Sequence, residues 1–137
     1  HPALLEKYGI PQRPRELAAL PIIGIESPMP YRGWRFHAEE AEDRLVVLQP
    51  VLSLTTPESA AEAARQGVGV ARLLNYQAID GLARGELRMI LQAMEPEPVP
   101  VHLLYTSRDL APLKLRKFID FATPALRQAL LRIAAAV

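Results

Sequence analysis

Three hydroxyl side chains, Thr55, Thr56 and Ser59, cluster around Pro57 at a predicted helix start. With Thr56 as N-cap, Pro57 takes the first helical position, where its missing N–H costs nothing. With Thr55 as N-cap, Glu58 falls at the capping-box position instead. Free N–H groups and hydroxyls at a helix start could bind a carboxylate or another anion. They could equally do no more than cap the helix, and the residues alone leave both readings open. Asn75 has the same two roles open to it, N-cap of the next helix or ligand contact, with Tyr76 beside it. Arg72 could reach an anion in a cleft, although an isolated arginine is more simply a surface residue. Trp34 reads as core rather than as a stacking platform.

Catalytic and cofactor chemistry finds no support. The histidines, His1, His37 and His102, stand at no ligand-like spacing and lack a companion carboxylate pattern, so no metal site is expected. The chain contains no cysteine, which removes disulfides, thiolate zinc sites and cysteine nucleophiles. Ser27, Ser53 and Ser107 lie in no Gly-x-Ser-x-Gly setting. Glu95 and Glu97 fall in a proline loop and read as solvated. Gly67-Val68-Gly69 is not a dinucleotide fingerprint, because its third glycine position holds Arg72 and the segment follows a helix. No catalytic residue, cofactor or metal is expected, and an enzyme ranks last among the readings.

The elements that must position these residues follow from punctuation and periodicity. A helix over 3–8 stops at Gly9 and Pro11, and Pro14 opens a second short turn. Ile22–Ile25 reads as a buried strand, 26–33 as a loop, and Trp34–His37 as a half-buried strand. The charged run 39–44 reads as an exposed turn. Residues 45–54 read as one strand, with Pro50 marking an edge or a bulge. A helix from Pro57 to about Gln66, a strand over 68–73, a helix over 76–84 and a short strand over 87–91 come next. After a Pro/Glu loop, Val99–Tyr105 reads as a strand and 112–132 as a helix kinked or restarted at Pro124. That helix carries an apolar stripe of Leu115, Phe118, Ile119, Ala122, Leu126, Ala129 and Leu130. Strands alternate with helices, so the class is α/β with a largely parallel sheet, and 45–73 looks like one βαβ crossover. Ligands of such sheets lie beyond the carboxyl ends of the strands. Residues 14–91 are expected to form one lobe, which the strand near 99–105 leaves.

The whole-chain numbers set the bounds. The sequence has 137 residues, enough for one domain, with charged residues at 23%, an ordinary globular balance. A net charge of +1 gives no bulk attraction for nucleic acid. No apolar run approaches the roughly 18 residues of a membrane span. Thirteen prolines are scattered as loop punctuation. The chain starts at His1, so an upstream segment, a leader or a further domain, is to be expected.

The run Leu54-Thr55-Thr56-Pro57-Glu58, Ala60-Ala61, Ala63-Ala64 and Gly67-Val68-Gly69-Val70-Ala71 resembles the LysR-type transcriptional regulators. It is similar to the second lobe of their C-terminal effector-binding domain. Pro2-Ala3-Leu4-Leu5 with Pro14-Arg15-Glu16-Leu17 resembles the segment after the first interlobe crossover, and Trp34-Arg35-Phe36 a frequent strand. Pro100–Tyr105 and Lys114–Phe121 resemble the last strand and helix, and Asn75-Tyr76-Gln77 a Ser-Tyr-Gln of one branch.

The resemblance implies a type 2 periplasmic-binding-protein-like lobe, a fragment of a two-lobed domain. Residues 1–98 would be the second lobe, and 99–137 a strand and helix returning to a first lobe. Thr55, Thr56, Asn75 and Tyr76 are the expected effector contacts, Thr55 aligning with a polar residue that faces the cleft. The implied function is effector sensing by a cytoplasmic bacterial regulator. Its partners would be a small metabolite, with an anion one candidate, DNA only through a separate N-terminal domain, and a second copy in a homo-oligomer; no membrane is involved. A solute-binding lobe of a transport system is the alternative.

Overall fold

The computed structural model describes residues 1–26, 33–105 and 112–135. The loop expected over 26–33 falls largely outside these, as do Ser27 and Ser107. The described chain divides into two compact units, His1–Glu97 and Pro98–Val137.

The first unit is built on a parallel sheet. Helix α1 (Pro2–Tyr8) is capped by the His1 side chain and stops at Gly9, and a 3-10 turn follows over Pro14–Ala19. Strand β1 (Ile22–Ile25) is the centre of a three-stranded sheet in the order β4-β1-β5, where β4 is Pro50–Leu54 and β5 is Val70–Ala71. Both neighbours run parallel to β1. The register slips between Ile22, opposite Pro50, and Ile23, opposite Leu52. Pro50 therefore occupies an edge strand and a bulge together, the two settings that tolerate its missing N–H.

Residues 45–54, expected as one strand, are two. β3 (Leu45–Val46) pairs antiparallel with β2 (Trp34–Arg35), and β4 starts afresh at Pro50 in the other sheet. The charged run also differs from expectation. Ala41–Arg44 forms one helical turn, α2, and its Asp43 is 2% exposed. The Asp43 carboxylate accepts the Arg15 backbone N–H at 2.9 Å, satisfying a free donor at the start of the 3-10 turn.

Alternation along β1 splits the core into two layers. Ile22 joins Leu17, Trp34, Val46 and Leu48 on one face, with Leu4, Leu5 and Leu20 alongside. Ile23 turns to the other face and packs on Ala60 and Ala64 of α3 (Pro57–Arg65). Alanines at those positions let the helix lie close to the strands. Helix α4 (Asn75–Ala83) packs against α3. The order β4, α3, β5 gives the expected crossover, and it spans β1, which lies between the two parallel strands.

The strand expected over 68–73 shortens to Val70–Ala71. Its tight start has two causes. Gly67 ends α3 with φ 75°, and a Cβ on Gly69 would stand 2.6 Å from the Pro21 carbonyl oxygen, which accepts the Val70 N–H at 2.8 Å. No strand forms over 87–91. Leu87, Ile90 and Leu91 pack against the core without a ladder partner, and Leu91 has φ 57°, outside the extended region. A short 3-10 turn over Gln92–Met94 follows.

In the second unit, Val99–Tyr105 forms no strand either, having no ladder partner among the described residues. Helix α5 runs from Leu113 to Ala135 with Pro124 inside it. Of the apolar stripe only Ala122 is buried, while Phe118 is 58% exposed.

Candidate functional site

Because β1, β4 and β5 are parallel, their carboxyl ends share one edge of the sheet. Thr55 and Thr56 follow β4 there, Glu26 follows β1, and Arg72 to Asn75 follow β5. β4 and β5 are separated by β1, a distance of about 10 Å at ordinary strand spacing. The four predicted contacts thus stand on one edge in two groups. Thr55 and Thr56 lie on one side of the β1 terminus, Asn75 and Tyr76 on the other.

Their local roles differ. Thr56 is the N-cap of α3: its Oγ1 accepts the Ser59 N–H at 3.2 Å and lies 2.9 Å from Ser59 Oγ. Pro57 takes the first helical position, so of the two registers read from the sequence this is the one adopted. Thr55 is exposed and makes no side-chain hydrogen bond among the described residues, and Glu58 closes no capping box. Farther along α3, Arg65 and then Gln66 donate to Glu62, and these bonds hold its carboxyl below the usual carboxylate range.

Asn75 is not the cap of α4. Leu74 occupies that position, and the Gln77 side chain reaches back to accept the Leu74 N–H at 2.8 Å. This frees the exposed Asn75 side chain from capping. Tyr76, in the first turn of α4, is 52% exposed.

Two shallow depressions lie on the first unit. The larger, about 310 Å³, is lined by Phe36, His37, Ala38, Glu39 and Arg44. Its arginine is committed: Arg44 donates to the carbonyls of Ala38 and Glu39, each at 2.9 Å. The smaller, about 190 Å³, is lined by Ile23, Ile25, Gly33, Trp34 and Arg72. Ile25 ends β1 and Arg72 follows β5, so this one opens at the carboxyl edge. Its lining was missed in the sequence, apart from Arg72 and Trp34 taken singly, because only the fold brings β1, the β2 start and the β5 end together. Trp34 belongs to the core, as its alternation with Arg35 predicts. Among the described residues no group of three His, Cys, Asp or Glu side chains could hold a metal ion, and no helix is long and apolar enough to cross a membrane.

A parallel sheet with polar residues gathered at its carboxyl edge defines a small-ligand-binding α/β lobe. Residues 1–127 match the family described as LysR substrate binding domain, and the chain belongs to that family. It is 29% identical over 119 residues to the HTH-type transcriptional activator AaeR of Escherichia coli K12, an alignment covering 87% of this chain and 38% of AaeR. The same figures hold for quorum-sensing regulator A of Escherichia coli O157:H7. The chain therefore spans well under half the length of these relatives.

Among solved structures, it superposes on the regulatory domain of CrgA, a LysR-type regulator from Neisseria meningitidis. The TM-score is 0.69 with 25% identity, over 88% of this chain and 59% of that one. Against CrgA itself the TM-score is 0.62 with 23% identity, over 71% of this chain and 32% of the other. The fold is the type 2 periplasmic-binding-like fold of LysR regulatory domains. The relatives named here are transcriptional regulators, neither enzymes nor transport proteins.

Proposed function

We propose that this chain is the effector-sensing part of a DNA-binding transcriptional regulator, holding a small metabolite against the carboxyl edge of its sheet. Residues 1–98 serve as one lobe of an interlobe cleft, and 99–137 return to the other. DNA is contacted through a separate domain, the assembly is a homo-oligomer, and the setting is the cytoplasm. The domain senses rather than turns over its ligand. Ligand binding shifts a population of lobe arrangements through differential contacts.

The single observation that carries the reading is the shared edge. Thr55 and Thr56 flank one side of the β1 terminus and Asn75 and Tyr76 the other. A metabolite about 10 Å long would reach both groups. Thr56 is already engaged in capping, so Thr55 and Asn75 supply the free polar groups on the two sides.

Calorimetric titration against a panel of small metabolites, with carboxylates among them, tests the proposal. Thr55→Ala is expected to weaken the effector by about 1–2 kcal/mol, the value of one hydrogen bond to a charged group. Unchanged affinity in Thr55→Ala and Asn75→Ala together would remove the edge from the binding site.

A further inference from the structure

The reading above leaves the chemical character of the effector open, and the smaller depression narrows it. We propose that this depression receives the apolar body of an amphipathic monocarboxylate, with Arg72 as the residue that selects its negative charge. The inference rests on the carboxyl edge being the effector site.

The lining carries the argument. Ile23, Ile25 and Trp34 supply an apolar floor, Gly33 adds no side chain, and Arg72 is the one charged group. The volume, about 190 Å³, suits a single ring or a short branched chain; an apolar cavity of about 150 Å³ in another protein binds benzene. A purely polar metabolite would leave that floor unused. A purely apolar one would leave the guanidinium with water alone.

Arg72 is also free to act. It is exposed and makes no ion pair or side-chain hydrogen bond among the described residues. Other arginines of the unit are committed. Arg13 pairs with Glu40, Arg15 with Glu42, Arg65 with Glu62 and Glu86, and Arg44 with two carbonyls. Glu26 follows β1 on the same edge but does not line the depression. A guanidinium presents paired N–H donors that match both oxygens of a carboxylate. A ligand seated this way lies across the end of β1, and its far end points toward Thr55.

Three probes of one shape decide it: cyclohexanecarboxylate, cyclohexanecarboxamide and cyclohexylamine, titrated into the 137-residue chain. The readouts are NMR shifts of the Ile23 and Ile25 methyls, the Trp34 indole N–H and the Arg72 Nε–H. The carboxylate is expected to shift all four saturably, with the amide about tenfold weaker and the amine weaker still. Arg72→Gln, on an exposed side chain, should keep the spectrum of the fold and bring carboxylate and amide to equal affinity. Equal binding of carboxylate and amide to the native chain, or preference for the amine, would overturn the charge selection while leaving the edge as the site. Shifts confined to the Phe36–Arg44 depression, or none at Ile25 and Trp34 with any probe, would overturn both.

Discussion

The two units of the chain treat apolar surface in opposite ways. In the first, an apolar residue finds a partner within its own unit. Leu17 and Ile23 are each 1% exposed, and alanines of α3 sit against the strands. In the second, α5 is as amphipathic as any helix here, yet among its described residues only Ala122 is buried. Amphipathic patterning therefore reports that a surface is needed, not that the chain supplies it. A helix with a cap and an underlying sheet, such as α3, is complete. A helix with only a stripe is half of an interface.

The largest expected effect tests that contrast. Each large apolar side chain left in water forgoes about 1.5–3 kcal/mol. Several on one helix rival the stability of a small domain. The isolated chain is therefore expected to self-associate at micromolar concentration, with sedimentation velocity as the measure. Phe118→Ser with Phe121→Ser should return it to monomer. A native chain that stays monomeric at these concentrations would show that the stripe needs no second copy.

In that monomeric double variant, the contrast sharpens into a stability comparison. Ile23→Ala removes a side chain clasped between β1 and α3 and should cost about 2–5 kcal/mol in urea unfolding. Leu131→Ala, at a side chain 64% exposed, should stay within about 0.5 kcal/mol. Similar costs at the two positions would mean that α5 is covered after all.

Next in size is Asp43. Its carboxylate takes the Arg15 N–H where the 3-10 turn begins, so Asp43→Ala leaves a donor without its partner and should cost about 1–3 kcal/mol. The adjacent Glu42 pairs with the Arg15 side chain at an exposed position, and Glu42→Ala should cost less than about 1 kcal/mol. Equal losses would assign the stabilisation to surface charge rather than to the buried acceptor.

Local chemistry was legible in the sequence, and pairing was not. α1, α3 and α4 were readable because Gly9, Gly67 and Gly85, all with positive φ, end them at the expected places. β1 was readable because its apolar run is buried on both faces. The division of 45–54 between two sheets was not, since alternation along a strand says nothing about which strand lies beside it. For the same reason 87–91 and 99–105 resemble strands in composition without being strands. In the charged run 39–44, nothing distinguishes Asp43 from Glu40 or Glu42 until the Arg15 backbone is placed beside it. At the candidate site, the threonine pair and the Asn75–Tyr76 step were readable as helix starts. Their common edge needed the order β4-β1-β5, which no motif encodes.

The smallest effect separates capping from ligand contact within the site itself. Thr56 is bonded to Ser59 and Thr55 is not, although they are adjacent and chemically identical. Thr56→Ala should therefore lower stability by about 1 kcal/mol, the usual loss of an N-cap, while Thr55→Ala should change it by only a few tenths. Thr56→Ser keeps the capping oxygen and should recover most of the loss. The measurement is the urea midpoint at constant slope, so that the change reads as stability and not as altered compactness. If Thr55→Ala proves the more costly, the helix start shifts by one residue and Thr55 becomes the cap. The effector edge would then have to draw its hydroxyl from Thr56, and the two threonines would exchange roles without changing the fold around them.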